Sequence, residues 1–131
     1  MMPQKDLNIL LASMQPELHG NQFVFCTVSE AHLEKLALKP LGLFREKEGV
    51  TLIITKEEAV DSQLEYADLW ALITCNIHSD LNAVGFLAAM STALADCGIA
   101  VNAISAYYHD HLFVPASKAQ QAMTLLKQLT N

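Results

Sequence analysis

Hydrophobic positions along the chain fall into short runs whose spacing alternates between helical and extended periods. Leu7 to Met14 has helical spacing, with Asp6 ahead of it as a cap and Pro16 behind it as a stop, and predicts a short amphipathic helix. Gln22 to Val28 is aromatic and β-branched on both faces and lies between Gly20-Asn21 and Ser29-Glu30, which predicts a buried strand. Glu30 to Leu38 puts Leu33, Leu36 and Ala37 at helical spacing, and Pro40 limits that helix to about two turns. Leu41 to Glu46 and Val50 to Thr55 flank Lys47-Glu48-Gly49 and predict a β-hairpin in which Gly49 takes a positive φ. The polar stretch Lys56 to Gln63 predicts a short helix, and an internal boundary follows it, giving units 1–66 and 67–131.

In the second unit the odd positions from Leu69 to Ile77 are all apolar, while Thr74 and Asn76 mark the other side, a period of two that predicts a strand with one core face. His78-Ser79-Asp80 then offers cap oxygens for a long helix from Leu81 to Cys97, with Gly98 placed as its terminating glycine and Gly85 one turn in. Val101 to Tyr108 and His111 to Pro115 predict two strands joined by a turn at or beside His109-Asp110. Ser117 to Leu129 predicts a closing helix capped by Ser117. Both halves therefore read strand, helix, hairpin, helix. That order is the ferredoxin-like split-βαβ plan, an α+β fold of antiparallel sheets with helices on one face.

Composition narrows the function classes. The 131 residues are 52% hydrophobic and 17% charged, too apolar for a disordered chain and long enough for one compact domain or two very small modules. Eight Lys and Arg against fourteen Asp and Glu give a formal charge of −6, which opposes phosphate backbones and anionic lipid surfaces, so neither nucleic acid nor membrane is an expected partner. Cys26, Cys75 and Cys97 are an odd set without CxxC spacing, each in or beside an apolar segment, which fits free thiols in a reducing cytoplasm. The N-terminus turns acidic before any apolar stretch, and the longest apolar runs are far below the ~18 residues that span a bilayer, so neither a signal peptide nor a transmembrane helix is expected.

Specific strings go beyond topology. His78-Ser79-Asp80-Leu81-Asn82-Ala83-Val84-Gly85-Phe86-Leu87, the run from Leu94 to Ser105, and Asp110-His111-Leu112-Phe113-Val114-Pro115 closely resemble ACT domains. Met14 to Leu18, Phe23 to Cys26, Arg45 to Gly49 and Tyr107 to His111 resemble a group of small bacterial proteins made of two ACT-like units, the first atypical. The resemblance implies a regulatory, non-catalytic protein that binds an amino acid or similar ligand between units or chains and uses no cofactor. It also implies that the loop of His78, Ser79, Asp80, Leu81 and Asn82, with Gly85, faces the ligand; Val84, Asn102, Ile104 and Asp110 complete the candidate binding set.

The chemistry of these residues suits that ligand. Backbone N–H groups of Asp80 to Asn82 and Gly85 at a helix start would hold a carboxylate, Ser79 and Asn102 would hydrogen-bond, and Asp110 would take the ammonium. The same residues also serve plainer roles: Ser79 or Asp80 as a cap, Gly85 as a packing glycine, Asp110 as a solvated turn residue. His109 and His111 form an HxH pair, but no third or fourth ligand lies at a recognised spacing, His78 and Cys75 would have to arrive by folding, and no metal site is expected. Nor is there a nucleophile elbow or a phosphate-binding glycine motif. Trp70 lies on the strand face opposite the apolar one, and the plan leaves one sheet face and two edges uncovered, which predicts a homo-oligomer, most simply a homodimer. Two rival readings stay open: a protein-interaction module that has lost its ligand, and a small metal-dependent protein built on the histidines.

Overall fold

A computed structural model describes residues 3–130, which divide into two compact units. One is continuous, Asn21–Trp70; the other is built from the chain up to Gly20 and from Ala71 onward.

In the continuous unit the second part of β1 (Pro16–Val28) is followed by α2 (Glu30–Lys35), β2 (Gly42–Arg45), β3 (Val50–Thr55) and α3 (Lys56–Asp61). The strand order is β2-β3-β1, with antiparallel registers running from Gly42↔Ile53 to Arg45↔Val50 and from Phe23↔Thr55 to Val28↔Val50. That register sets Val24, Cys26 and Val28 opposite Ile54, Leu52 and Val50, and these six close over Ala59 of α3 as one core. Both helices are capped as polar residues at their starts require: the Ser29 side chain accepts from the His32 N–H, and Thr55 and Glu58 form a reciprocal capping box. The expected hairpin is present, but Gly49 has no positive φ. Its role is closeness, since a Cβ there would lie 2.9 Å from Thr27 Oγ1 and 3.2 Å from the Val28 carbonyl oxygen. Trp70 finds cover edge-on against Phe25, ring centroids 5.9 Å apart.

The discontinuous unit begins with α1 (Leu7–Ser13), capped by Asp6 as its sequence predicts, and the first five residues of β1. It continues with β4 (Trp70–Cys75), α4 (Phe86–Ala95), β5 (Asn102–Ser105), β6 (Asp110–Pro115), a 3-10 turn over Ala116–Lys118, and α5 (Ala119–Gln128). The strand order is β1-β4-β6-β5, with β5 at the edge and paired antiparallel from Asn102↔Phe113 to Ser105↔Asp110. Leu10 from α1 and Met14 just after it, Ala71, Ile73 and Cys75 from β4, Phe86, Met90 and Leu94 from α4, Leu112 and Val114 from β6, and Ala122 and Leu126 from α5 form its core. Each unit therefore carries strand, helix, hairpin and helix on an α+β, ferredoxin-like plan.

Several sequence expectations shift. β1 starts at Pro16 instead of Gln22, because Pro16–Gly20 is held by hydrogen bonds more than by apolar side chains: Asn76 N–H donates to the Gln15 carbonyl, and Asn76 Nδ2 donates to Glu17 at 3.1 Å. β4 is buried on both faces, since Leu72 and Thr74 are enclosed as fully as Ala71 and Ile73. α4 begins at Phe86, not Leu81. The Asn82 N–H donates to Asp80 Oδ1 (2.7 Å) and the Ala83 N–H to the Asp80 carbonyl (2.9 Å), closing a turn, and Gly85 at φ +92° stands at the N-cap position instead of one turn inside the helix. At the other end the expectation holds: Gly98 has φ +73°, with Gly98 N–H on the Ala95 carbonyl and Ile99 N–H on that of Leu94, a Schellman closure. β5 stops at Ser105 because Ala106 to His109 forms the turn, Ala106 N–H to the His109 carbonyl. Ser117 caps nothing, since the 3-10 turn places Lys118 ahead of α5.

Candidate functional site

Asp110, the first residue of β6, is buried, and both of its carboxylate oxygens are engaged: Oδ1 accepts from the Ser105 hydroxyl at 2.5 Å and Oδ2 from that of Ser79 at 3.2 Å. Ser105 ends β5 directly opposite Asp110 in the hairpin register, while Ser79 comes from the loop after β4. The carboxylate thus latches the 78–82 loop to the hairpin, and it keeps lone pairs for a further donor. Asp110 is no solvated turn residue. Its charge also reaches Cys75, whose thiol is pushed up to about 12, mainly by burial and then by Asp110; it stays protonated and donates to Met90 Sδ at 3.3 Å.

The loop is pinned from its other side by the chain ahead of α1. Gln4 N–H donates to the His78 carbonyl, Asp80 N–H donates to the Gln4 carbonyl, both at 2.8 Å, and Gln4 and Ser79 form a parallel bridge. Lys5 Nζ lies 3.9 Å from Asp80 Oδ2. The Asn82 N–H, with Lys5 and His78 nearby, holds the Asp80 carboxyl below the usual range. The amides of Asp80 and Asn82, expected to face a ligand, are therefore occupied within the protein, by Gln4 and by the Asp80 side chain.

Two clefts flank this loop and share Ser79, Asp80 and Leu81 as lining. The larger, about 250 Å³, is completed by Pro3, His78, Asn82 and Tyr107, and the smaller, about 50 Å³, by Ala83, Phe86, Leu87, Ser105 and Asp110. No side chain caps α4, so its first amides have no partner within the helix, and Phe86 and Leu87 bring that end to the wall where Asp110 stands. Of the ten sequence candidates, His78, Ser79, Asp80, Leu81, Asn82 and Asp110 line one cleft or both, and Gly85 heads the helix beside them. Val84, Asn102 and Ile104 line neither: Val84 is 84% exposed, Asn102 is three residues, about 10 Å, along β5 from Ser105, and Ile104 alternates to the opposite face of the strand. Ser105, Tyr107 and the Pro3-Gln4-Lys5 segment were not among the candidates. The hairpin register could have placed Ser105; nothing in sequence marks Gln4 as a partner of residue 79.

The histidines do not converge on a metal. His109 Nδ1 contacts the Ile77 carbonyl at 3.1 Å, its ring centre is 6.4 Å from that of His111, and among the described residues no three His, Cys, Asp or Glu side chains are placed to share an ion. Instead Thr74 Oγ1 stands between His19 Nε2 at 2.8 Å and His111 Nδ1 at 2.9 Å. Burial, then His109 and His19, disfavour a proton on His111, against a smaller opposing pull from Asp110. No helix among the described residues is long and apolar enough to cross a membrane.

Residues 3–71 match one family model described as ACT domain and residues 65–128 match another. Among solved structures, a Vibrio cholerae protein of unknown function, described as a possible transport protein, is 47% identical over 97% of this chain and 98% of its own, with a TM-score of 0.86. A protein from Agrobacterium tumefaciens shares 13% identity over 89% of each chain at TM-score 0.70, and the regulatory subunit of aspartate kinase from Thermus thermophilus 12% over 92% of this chain and 99% of its own at 0.71. At those identities the likeness is one of fold. No protein of curated function matches.

Proposed function

Because the chain belongs to the ACT domain family, whose members are regulatory modules, we propose that it is a non-catalytic sensor that binds a free amino acid in the clefts beside the 78–82 loop and acts in trans on a partner. The observation that carries this reading is the wall of the smaller cleft, where a buried carboxylate and an uncapped helix N-terminus stand together. A free amino acid has the complementary pair of charges on one carbon. Its ammonium suits Asp110, whose two hydroxyl donors leave acceptor capacity, and its carboxylate suits the first amides of α4. The smaller cleft is too small for more than those two groups, so the ligand's side chain extends into the larger one along Ser79, Asp80 and Leu81, toward His78 and Tyr107. The amides of Asp80 and Asn82 stay with their internal partners in this arrangement. The free thiols of Cys26, Cys75 and Cys97 suit a reducing cytoplasm.

The test is thermal unfolding of the full chain against each of the twenty amino acids at millimolar concentration. A ligand present at ~100 times its Kd adds about 2.7 kcal/mol and raises Tm by several degrees, and Asp110→Asn, which keeps the shape and removes the charge, should abolish that rise. No rise with any amino acid overturns the reading in favour of an interaction module; a rise unchanged in Asp110→Asn moves the ammonium elsewhere.

A further inference from the structure

Thr74 is enclosed in β4 at 4% exposure, and its hydroxyl meets two rings, His19 of β1 through Nε2 at 2.8 Å and His111 of β6 through Nδ1 at 2.9 Å. A hydroxyl has one proton to donate, and a neutral imidazole has one N–H and one bare nitrogen. Both contacts are therefore hydrogen bonds, with the hydroxyl proton used, only when one ring donates to Oγ1 and the other accepts from it. Exposure assigns the roles. His19 is exposed and can take a proton from solvent at its other nitrogen while Nε2–H goes on donating to Thr74; His111 is half-buried and accepts at Nδ1. One extra proton is thus carried with both bonds intact. A second, on His111, makes Nδ1 a donor as well, so that two imidazolium rings face one hydroxyl and neither can accept its proton.

The groups around His111 do not relieve that state. Burial, then His109 from the turn and His19 from β1, oppose a charge there, and only Asp110, its neighbour on β6, draws one. β4 offers the uncharged Thr74 and Asn76, and β5 sets Ile104 opposite His111. Glu17, two residues before His19, is engaged by Asn76 Nδ2 at 3.1 Å. We propose that His19, Thr74 and His111 form a pH-sensitive clip, which stays closed on one proton and opens on the second, releasing the Pro16–Gly20 end of β1. That end is the part of β1 free to respond. Leu18 is its contact with the apolar core, its other ties are the Asn76 bonds to Gln15 and Glu17, and of these ties the clip is the one that titrates near neutrality. Through these residues β1 leaves the discontinuous unit for the continuous one, so acid loosens the chain at that passage. The proposal does not rest on the ligand reading, and its test contains no ligand.

Amide exchange of the full chain, followed by NMR and expressed as protection relative to the unstructured rate at each pH, reads the clip directly. From pH 7 to pH 5 the protection of Asn76 and of Glu17 to Gly20 should fall by about tenfold more than that of Met90 and Leu94 in α4. His111→Gln keeps a hydrogen-bonding group beside Thr74 but takes no proton, so the second charge has no place and the local protection should persist at pH 5. His19→Gln, at an exposed position, removes the other proton and carries the same expectation should His111→Gln fail to fold. Thr74→Val keeps the shape and removes the hydroxyl, and should show the low local protection already at pH 7 with no further local loss. Four results would each overturn the proposal: no local loss in wild type, an equal loss at Met90 and Leu94, the same local loss in the glutamine variant, or wild-type behaviour in Thr74→Val.

Discussion

Gly85 shows at a single position how local backbone and site depend on each other. Its φ of +92° lies where L side chains are strained, and a Cβ would come within 3.3 Å of Leu7 Cδ2 in α1. Gly85→Ala should therefore lower stability by about 1–2 kcal/mol in urea denaturation, the range for forcing a side chain into left-handed backbone; an unchanged midpoint would mean that the loop relaxes at no cost. His111 makes a prediction about pH. Because its folded-state pKa is held below the ordinary 6.5, the folded protein binds a proton less readily than the unfolded chain. Its contribution to stability is then full above pH ~6.5 and declines as pH falls through that value toward the depressed folded one. His111→Gln, which keeps a hydrogen-bonding group beside Thr74, should flatten that part of the stability profile between pH 7 and 5, and an identical slope in the variant would assign it to another group.

Among the elements, those with a strong period or clear punctuation were legible before any coordinates: α1 with Asp6, the β2–β3 hairpin, α4's close at Gly98, and α5's apolar stripe. Where legibility failed, a hydrogen bond between distant residues had overruled the local pattern. Pro16 to Gly20 has only Leu18 to suggest a strand, yet Asn76 and the His19–Thr74 contact hold it as one. The 81–85 stretch looks helical by composition, yet the Asp80 side chain takes the Asn82 amide first and turns the chain. For the site, Asp110 could be chosen from sequence as an acceptor, but not its two serine partners together, since Ser79 reaches it across 31 residues. Capping gives a test at this scale. Asp6→Ala removes the bond to the Ile9 amide and should cost about 1 kcal/mol, concentrated in faster amide exchange over Leu7–Ser13; equal exchange in both proteins would show that packing alone holds α1.

At the scale of the molecule, the two units differ in how they are built from the chain. Leu10 is fully buried among α4, α5, β4 and β6 residues, so the discontinuous unit depends on a helix far upstream of the rest of its core. Leu10→Ala should cost about 2–5 kcal/mol, and hydrogen exchange should speed throughout residues 71–130 more than within 21–70. Uniform acceleration of both segments would instead show that the chain opens as one cooperative body.

The same division has a consequence for synthesis on the ribosome. All of the continuous unit's residues have left the tunnel soon after Trp70 is added, whereas α1 and the start of β1 must wait for Leu126, near the other end of the sequence, before their core can close. During translation, the first core partners of Leu10 and Met14, from β4, follow only about 60 codons later, and the last, Leu126, after more than a hundred, roughly 5–20 s of elongation at typical rates. A nascent chain stalled in that interval would carry a finished insert and an unfinished host. Chaperone contact should then fall on residues 7–20, although they are made before the insert that has already folded.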